Sequence, residues 1–314
     1  MNRIPIVIDC DTGTDDAVCI TAALLNSDLL DIRAFTCVCG NVEVDKTSRN
    51  TLDILGFLGS NAPVAAGADK PLRGELIKAV SHGRNGLGDV VLPASSRQLL
   101  KKPAYEVLYN EAVSAEGALE ILATGPLTNL ALAITNYPDF ASRIKRITFM
   151  GGALTGGNMT MTSEFNIHND PEAANIVFGS GIDLVMVGLD VTLKPKLPEY
   201  VLCALKHADT PHAKFVCRVL DFMVRRKAET GGDAPNLHDV IALFALVQPS
   251  LLTFRDYYIS VETEGKLTRG MTVADFNGVV NKAPNVHAAV DINIDGFWHW
   301  FVQLILQEKA KRGR

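Results

Sequence analysis

Six short apolar runs rich in β-branched residues recur along the chain at Ile4–Ile8, Ile32–Cys39, Pro63–Ala66, Leu119–Thr124, Ile144–Met150 and Asp183–Leu189, with amphipathic stretches between them. That alternation predicts a parallel sheet covered by helices. Helices are expected over Asp15–Leu25, Val42–Leu58, Pro126–Thr135 and Pro171–Phe178, each opening near a capping residue or an early proline. After Val191 the pattern becomes helical, over roughly Pro198–Thr230 and again from His238 to Val247. Tyr257–Glu262, Gly270–Phe276 and Val286–Ile292 then read as strands, and Phe297–Lys309 as a closing helix. The expected fold is α/β: an open, mainly parallel sheet flanked by helices, with the active site at the C-terminal ends of the strands. One domain is expected over 1–314, with 192–250 as a helical region closing the pocket.

Hydrophobic residues make up 47% of the 314 and charged residues 21%, enough to bury a full core without disulfides or a partner. The formal charge of −5 leaves no basic stripe to neutralise phosphates, so nucleic acid is not the expected partner. Cys10, Cys19, Cys37, Cys39, Cys203 and Cys217 lie mostly inside apolar runs, as buried thiols do. No apolar segment approaches membrane-spanning length. Met1–Pro5 carries no export signal, so the cytoplasm is the expected location.

Chemistry concentrates in Asp9-Cys10-Asp11-Thr12-Gly13-Thr14-Asp15-Asp16-Ala17, which sets four carboxylates between a strand end and a helix start. Such crowding is unfavourable without a cation, and hard divalent ions take oxygen ligands, so the loop suits Ca²⁺ or Mg²⁺. Helix capping accounts for one or two of these aspartates, not for four. Further along, Asn236-Leu237-His238-Asp239 precedes an apolar helix. Alone, Asp239 reads as a helix cap and His238 as a surface histidine. Gly151 to Asn158, followed by Glu164-Phe165-Asn166, offers amides and a carboxylate suited to vicinal hydroxyls, although a polar connection is its plainer reading. Thr124 to Asn129, Gly40-Asn41 and Ser81-His82-Gly83 are each weak signals, becoming a site only if strand order gathers their loops at one rim.

Taken together, these segments resemble the inosine-uridine-preferring nucleoside hydrolases. The likeness runs through Asp9–Ala17, Thr124–Asn129, Met150-Gly151-Gly152, Glu164-Phe165-Asn166, Asp170–Ala174 and His238-Asp239, in the family's order across nearly the whole chain. The resemblance implies Ca²⁺ held by the carboxylates of Asp11, Asp16 and Asp239 and the backbone carbonyl of Thr124. It implies a ribonucleoside substrate whose ribose meets Asp15, Asn41, Asn158, Glu164 and Asn166, and whose base meets His238 and His82. A homodimer or homotetramer is implied as well.

On that reading Asp11 accepts a proton from the attacking water, and a protonated His238 serves as general acid to the leaving base. His82 resembles the loop histidine of the pyrimidine- and inosine-cleaving branch. Trp298 and Trp300 are expected in the core, not at the base. The family's pocket tyrosine has no counterpart between Tyr200 and Tyr257, where Phe222, Arg225 and Arg226 stand instead. Two other readings compete: a haloacid-dehalogenase-like phosphohydrolase, suggested by the Asp9-Cys10-Asp11 pattern, and a nucleoside-binding protein without turnover.

Overall fold

All six expected runs form strands in the computed structural model, which describes residues 3–307. They are Ile4–Cys10 (β1), Leu30–Cys37 (β2), Val64–Ala66 (β3), Leu119–Ala123 (β4), Ile144–Met150 (β5) and Leu184–Val187 (β6). Leu252–Tyr257 (β7), Ile259–Val261 (β8), Thr272–Ala274 (β9) and Val286–Ile292 (β10) follow. Eight strands make one sheet in the order β3-β2-β1-β4-β5-β6-β10-β7, parallel except for β7, while β8 and β9 form a separate pair.

The helices are Thr14–Leu25 (α1), Val44–Phe57 (α2), Ala104–Ser114 (α3), Thr128–Asn136 (α4), Phe140–Arg143 (α5), Phe165–Asn169 (α6) and Pro171–Phe178 (α7). Leu189–Thr192 (α8), Glu199–Lys206 (α9), Pro211–Glu229 (α10), His238–Val247 (α11) and Ile294–Leu306 (α12) complete them. Alternate residues of β1 serve two apolar layers. Ile6 and Ile8 face the side built by α1, α2 and α9 to α12, and Val7 faces the side built by α3, α4 and α7. Large side chains such as Phe35, Phe149, Phe244 and Trp298 fill these layers, each worth about 1.5–3 kcal/mol when fully buried. Trp298 is buried and Trp300 packs 5.1 Å from Phe244, in keeping with core roles.

Several boundaries differ from expectation. The long helical region breaks between α9 and α10, where Thr210 caps Ala213 N–H through its hydroxyl and Pro211 opens the new helix. The run expected over Tyr257–Glu262 divides between the end of β7 and β8. The closing helix starts earlier than expected, at Ile294, and positions 308–309 of the expected range lie outside the described residues. Both outer strands of the large sheet are guarded. Short β3 receives Leu100 N–H on its Val64 carbonyl, and β7 carries Arg255 and Asp256 outward.

Strand order reverses between β1 and β4, and their registers bring Asp9 level with Ala123 and with Thr36 of β2. Such a switch point opens a crevice beyond the strand ends, which is where Asp11 and Thr124 lie.

Candidate active site

Asp11, buried just past β1, accepts a 2.7 Å hydrogen bond from Asn41 N–H on Oδ2, while its buried Oδ1 has no partner among the described residues. Asp16 sits in the first turn of α1. Its Oδ2 accepts from Gly13 N–H at 2.8 Å and from Asn41 Nδ2 at 3.2 Å, and its Oδ1 accepts from Thr124 Oγ1 at 2.7 Å. One capping bond is therefore real, but the same carboxylate also ties the β1, β2 and β4 ends together. Asp239 arrives from the first turn of α11, which packs on α1, and Cys19 Sγ donates to its carbonyl.

Carboxylate oxygens of Asp15, Asp16 and Asp239 lie within 4.8 Å of one another. Asp11 stands outside that tightest group, although it feels the charges of Asp16 and Asp15, and Asp239 feels the charge of Asp11. Burial pushes all four carboxyls upward, Asp16 to about 6, and mutual repulsion adds to the rise for Asp11, Asp16 and Asp239. No lysine or arginine is ion-paired with any of them among the described residues; the nearest ionisable base is His82, its Nδ1 4.0 Å from Asp15 Oδ1. Crowded, buried, oxygen-only donors with an orphaned carboxylate atom fit a hard divalent cation.

The opposite wall is organised by Glu164, the N-cap of α6. Its Oε2 accepts from Gly152 N–H at 3.0 Å, Asn166 N–H at 2.9 Å and Ile167 N–H at 3.2 Å, joining the loop after β5 to α6. Burial raises its carboxyl to about 7. Asn166 donates through Nδ2 to the Thr124 carbonyl at 2.9 Å and the Met150 carbonyl at 3.0 Å, so it bridges the ends of β4 and β5. Asn158 is exposed on the rim, with its Oδ1 accepting from Phe165 N–H at 2.9 Å.

Histidines form the third side. His82 Nδ1 accepts from Thr14 N–H at 3.0 Å, which leaves Nε2 as the protonated nitrogen, and burial depresses the imidazolium to about 4. The loop that carries it thus folds back onto α1 instead of standing in solvent. His238 Nδ1 pairs with Thr192 Oγ1 at 2.8 Å. Burial lowers its pKa, against the near-neutral value a proton donor wants, and the Asp15 charge opposes that fall.

Asp15, Asn41, His82, Thr124, Asn158, Glu164, Asn166, His238 and Asp239 all line one pocket of about 530 Å³, with Asp11 and Asp16 beneath it. Of the three residues standing where the tyrosine is missing, Arg226 reaches the pocket. Phe222 packs on Gly88, and Arg225 turns to the Asp221 carbonyl. Sequence reasoning missed Thr192, which orients His238, and Lys227, which lines the pocket from the end of α10. The spacing of Met223, Lys227 and Thr230 on one helical face was a legible signal for the second.

The family model described as inosine-uridine preferring nucleoside hydrolase matches residues 6–299. The chain belongs to this family. Non-specific ribonucleoside hydrolase RihC of Klebsiella pneumoniae subsp. pneumoniae is 38% identical over 305 residues, covering 96% of this chain and 98% of the relative. Pyrimidine-specific ribonucleoside hydrolase RihA of Citrobacter koseri is 41% identical over 298 residues, covering 94% and 95%. Among solved structures, the plant nucleoside hydrolase PpNRh1 superposes with a TM-score of 0.92 at 32% identity, over 98% of this chain and 100% of that one. The purine-preferring ribonucleoside hydrolase of Gardnerella vaginalis gives 0.90 at 31% identity, over 96% and 98%. As a nucleoside hydrolase the protein is an enzyme acting on N-glycosyl bonds. The phosphohydrolase likeness ends at Asp9 and Asp11, whereas the nucleoside hydrolase match also takes in His238 and Asp239. No described helix is long and apolar enough to cross a membrane.

Proposed function

We propose that the protein hydrolyses ribonucleosides of the inosine, uridine and cytidine type to free base and ribose, in a calcium-dependent reaction with Asp11 as general base. The observation that carries this reading is the buried carboxylate cluster, ion-paired with no lysine or arginine among the described residues, at the switch point of the sheet and under one pocket. The carboxylates of Asp11, Asp16 and Asp239 and the carbonyl of Thr124 would hold Ca²⁺, which when bound supplies a Lewis acid that acidifies water and anchors ribose hydroxyls. Asn166 supports that arrangement by fixing the Thr124 carbonyl from the other side.

Asp11 takes the proton of the attacking water through Oδ1, the oxygen with no partner among the described residues. As the C1′–N bond breaks, the sugar gains positive charge, and the side-chain oxygens of Asn166 and Glu164 face it from the pocket wall. Water enters opposite the base in one displacement, giving inversion at C1′. Asp15 reads the 2′- and 3′-hydroxyls together with Asn41, while Asn158 and Glu164 take the 5′-hydroxyl. His82 and His238 meet the base, His238 as proton donor; burial disfavours its protonated form and the Asp15 charge partly offsets that. Residues 192–250 close the pocket within one domain, and copies of the chain associate as a homodimer or homotetramer in the cytoplasm.

Reducing-sugar release from inosine, uridine, cytidine and adenosine, before and after chelation and with Asp11→Asn, tests the reading. Chelator-sensitive release that Asp11→Asn abolishes is the expected result. Undiminished turnover in either arm removes the corresponding part of the mechanism, and nucleoside binding without product points to a binding protein.

A further inference from the structure

Three cations line the pocket: Lys78, Arg226 and Lys227. Two are already engaged, Lys78 by Glu43 at 2.8 Å and Arg226 by Glu229 at 3.0 Å and the Val80 carbonyl at 3.3 Å. The Lys227 ammonium has no hydrogen bond or ion pair among the described residues. Basic residues in the last turn of a helix ordinarily answer its dipole, and Arg226 needs no other explanation.

Lys227 is directed elsewhere. The chain turns back after α10, with Gly232 N–H bonded to the Lys227 carbonyl at 2.9 Å. A Cβ at Gly232 would stand 2.8 Å from Lys227 Cδ, so the lysine stem lies across that glycine. Its face of α10 also gives Met223 and Thr230 to the pocket, and its charge reaches His238 across it.

We propose that Lys227 is a catalytic residue for the leaving group, its ammonium donating a hydrogen bond to a carbonyl oxygen of the departing base. This deepens the N-glycosidic reading and rests on it. The water oxygen bonds to C1′ as the C1′–N bond breaks, and the electron pair passes to the base, where it spreads over ring nitrogens and exocyclic oxygens. The water's proton goes to Asp11. Lys227 keeps its three protons and offers only charge and a hydrogen bond, while the base is protonated from His238 or solvent. Bases with an exocyclic carbonyl, such as uracil and hypoxanthine, are favoured over adenine, whose exocyclic amino group is itself a donor.

The test compares Lys227→Met and Lys227→Arg with the unaltered calcium-loaded protein on uridine and on 4-nitrophenyl β-D-ribofuranoside, whose leaving group is stable as an anion. Lys227→Met is expected to lower kcat/KM for uridine about 30-fold, equivalent to about 2 kcal/mol, but by less than about threefold for the nitrophenyl riboside. Lys227→Arg should recover uridine to within about fivefold of the unaltered protein, because the charge is kept. Equal losses on both substrates, or no loss on uridine, overturn the proposal while leaving N-glycosidic hydrolysis intact. Failure of the unaltered protein to release ribose from either compound overturns the hydrolase reading itself.

Discussion

Removing the cation and raising the pH should weaken the fold together, because both act on the same buried carboxylates. Asp16 ionises near 3.8 in an ordinary setting and near about 6 in the folded protein, held up first by burial and then by Asp15. Between those values the unfolded chain has lost its proton and the folded chain keeps it. Stability is therefore highest below the lower value, falls as the pH rises, and has lost the whole contribution above about 6. That rise in the Asp16 value corresponds to about 3 kcal/mol for this residue alone. Asp11 and Asp239 are displaced in the same direction by the same causes and add to the loss.

At about 2.1 cal/mol/K per residue, a chain of 314 residues unfolds with an entropy near about 0.7 kcal/mol/K, so about 3 kcal/mol moves Tm by about 4–5 °C. Calcium at a hundredfold excess over its Kd returns about 2.7 kcal/mol, or about 4 °C, at pH 8. It returns less at pH 5, where protons compete for the ligands. Calorimetric melts at pH 5, 6, 7 and 8, in chelator and in calcium, give both slopes. Equal Tm values at pH 5 and pH 8 in chelator, or the same calcium increment at both, would refute the reasoning.

Asn166→Ala should strand the Thr124 and Met150 carbonyls, lowering Tm by about 2–4 °C and kcat on uridine at least about tenfold; unchanged kcat would remove Asn166 from the site. Deoxyuridine should react at least about a hundredfold more slowly than uridine, because Asp15 loses a hydroxyl partner, and comparable rates would contradict the ribose assignments. Gly88 has φ +63°, and a Cβ there would stand 2.5 Å from Phe222 Cγ. Gly88→Ala should displace the His82 loop and raise KM more than it lowers kcat, whereas an unchanged KM would show that the loop does not hold the base.

The parallel core was legible because its strands are continuous apolar runs, as strands covered on both faces must be. Helix α3 escaped notice although Ala104, Val107, Leu108 and Ala112 lie on one face, since they sit in a stretch without strong flanking strands. Strand β7 was hidden by its own position: at an exposed edge it carries Arg255 and Asp256, which break the apolar signal. The carboxylate cluster was readable as an excess over what capping explains, but its meeting with Asp239 depends on α1 packing against α11, which no local pattern encodes. The face Lys227 shares with Met223 and Thr230 was legible, but the course of its side chain was not, because a chain reversal at Gly232 sets it.

The guarded margins of the sheet also bear on how copies of this protein meet in a crowded cell. A strand margin with free amides invites a neighbour's strand and can seed open-ended fibres. Here one margin is three residues long and already bonded to Leu100, and the other displays a guanidinium and a carboxylate. Stacking by extension of the large sheet is disfavoured at both ends, which turns association toward the other surfaces, those from which closed, countable assemblies are made.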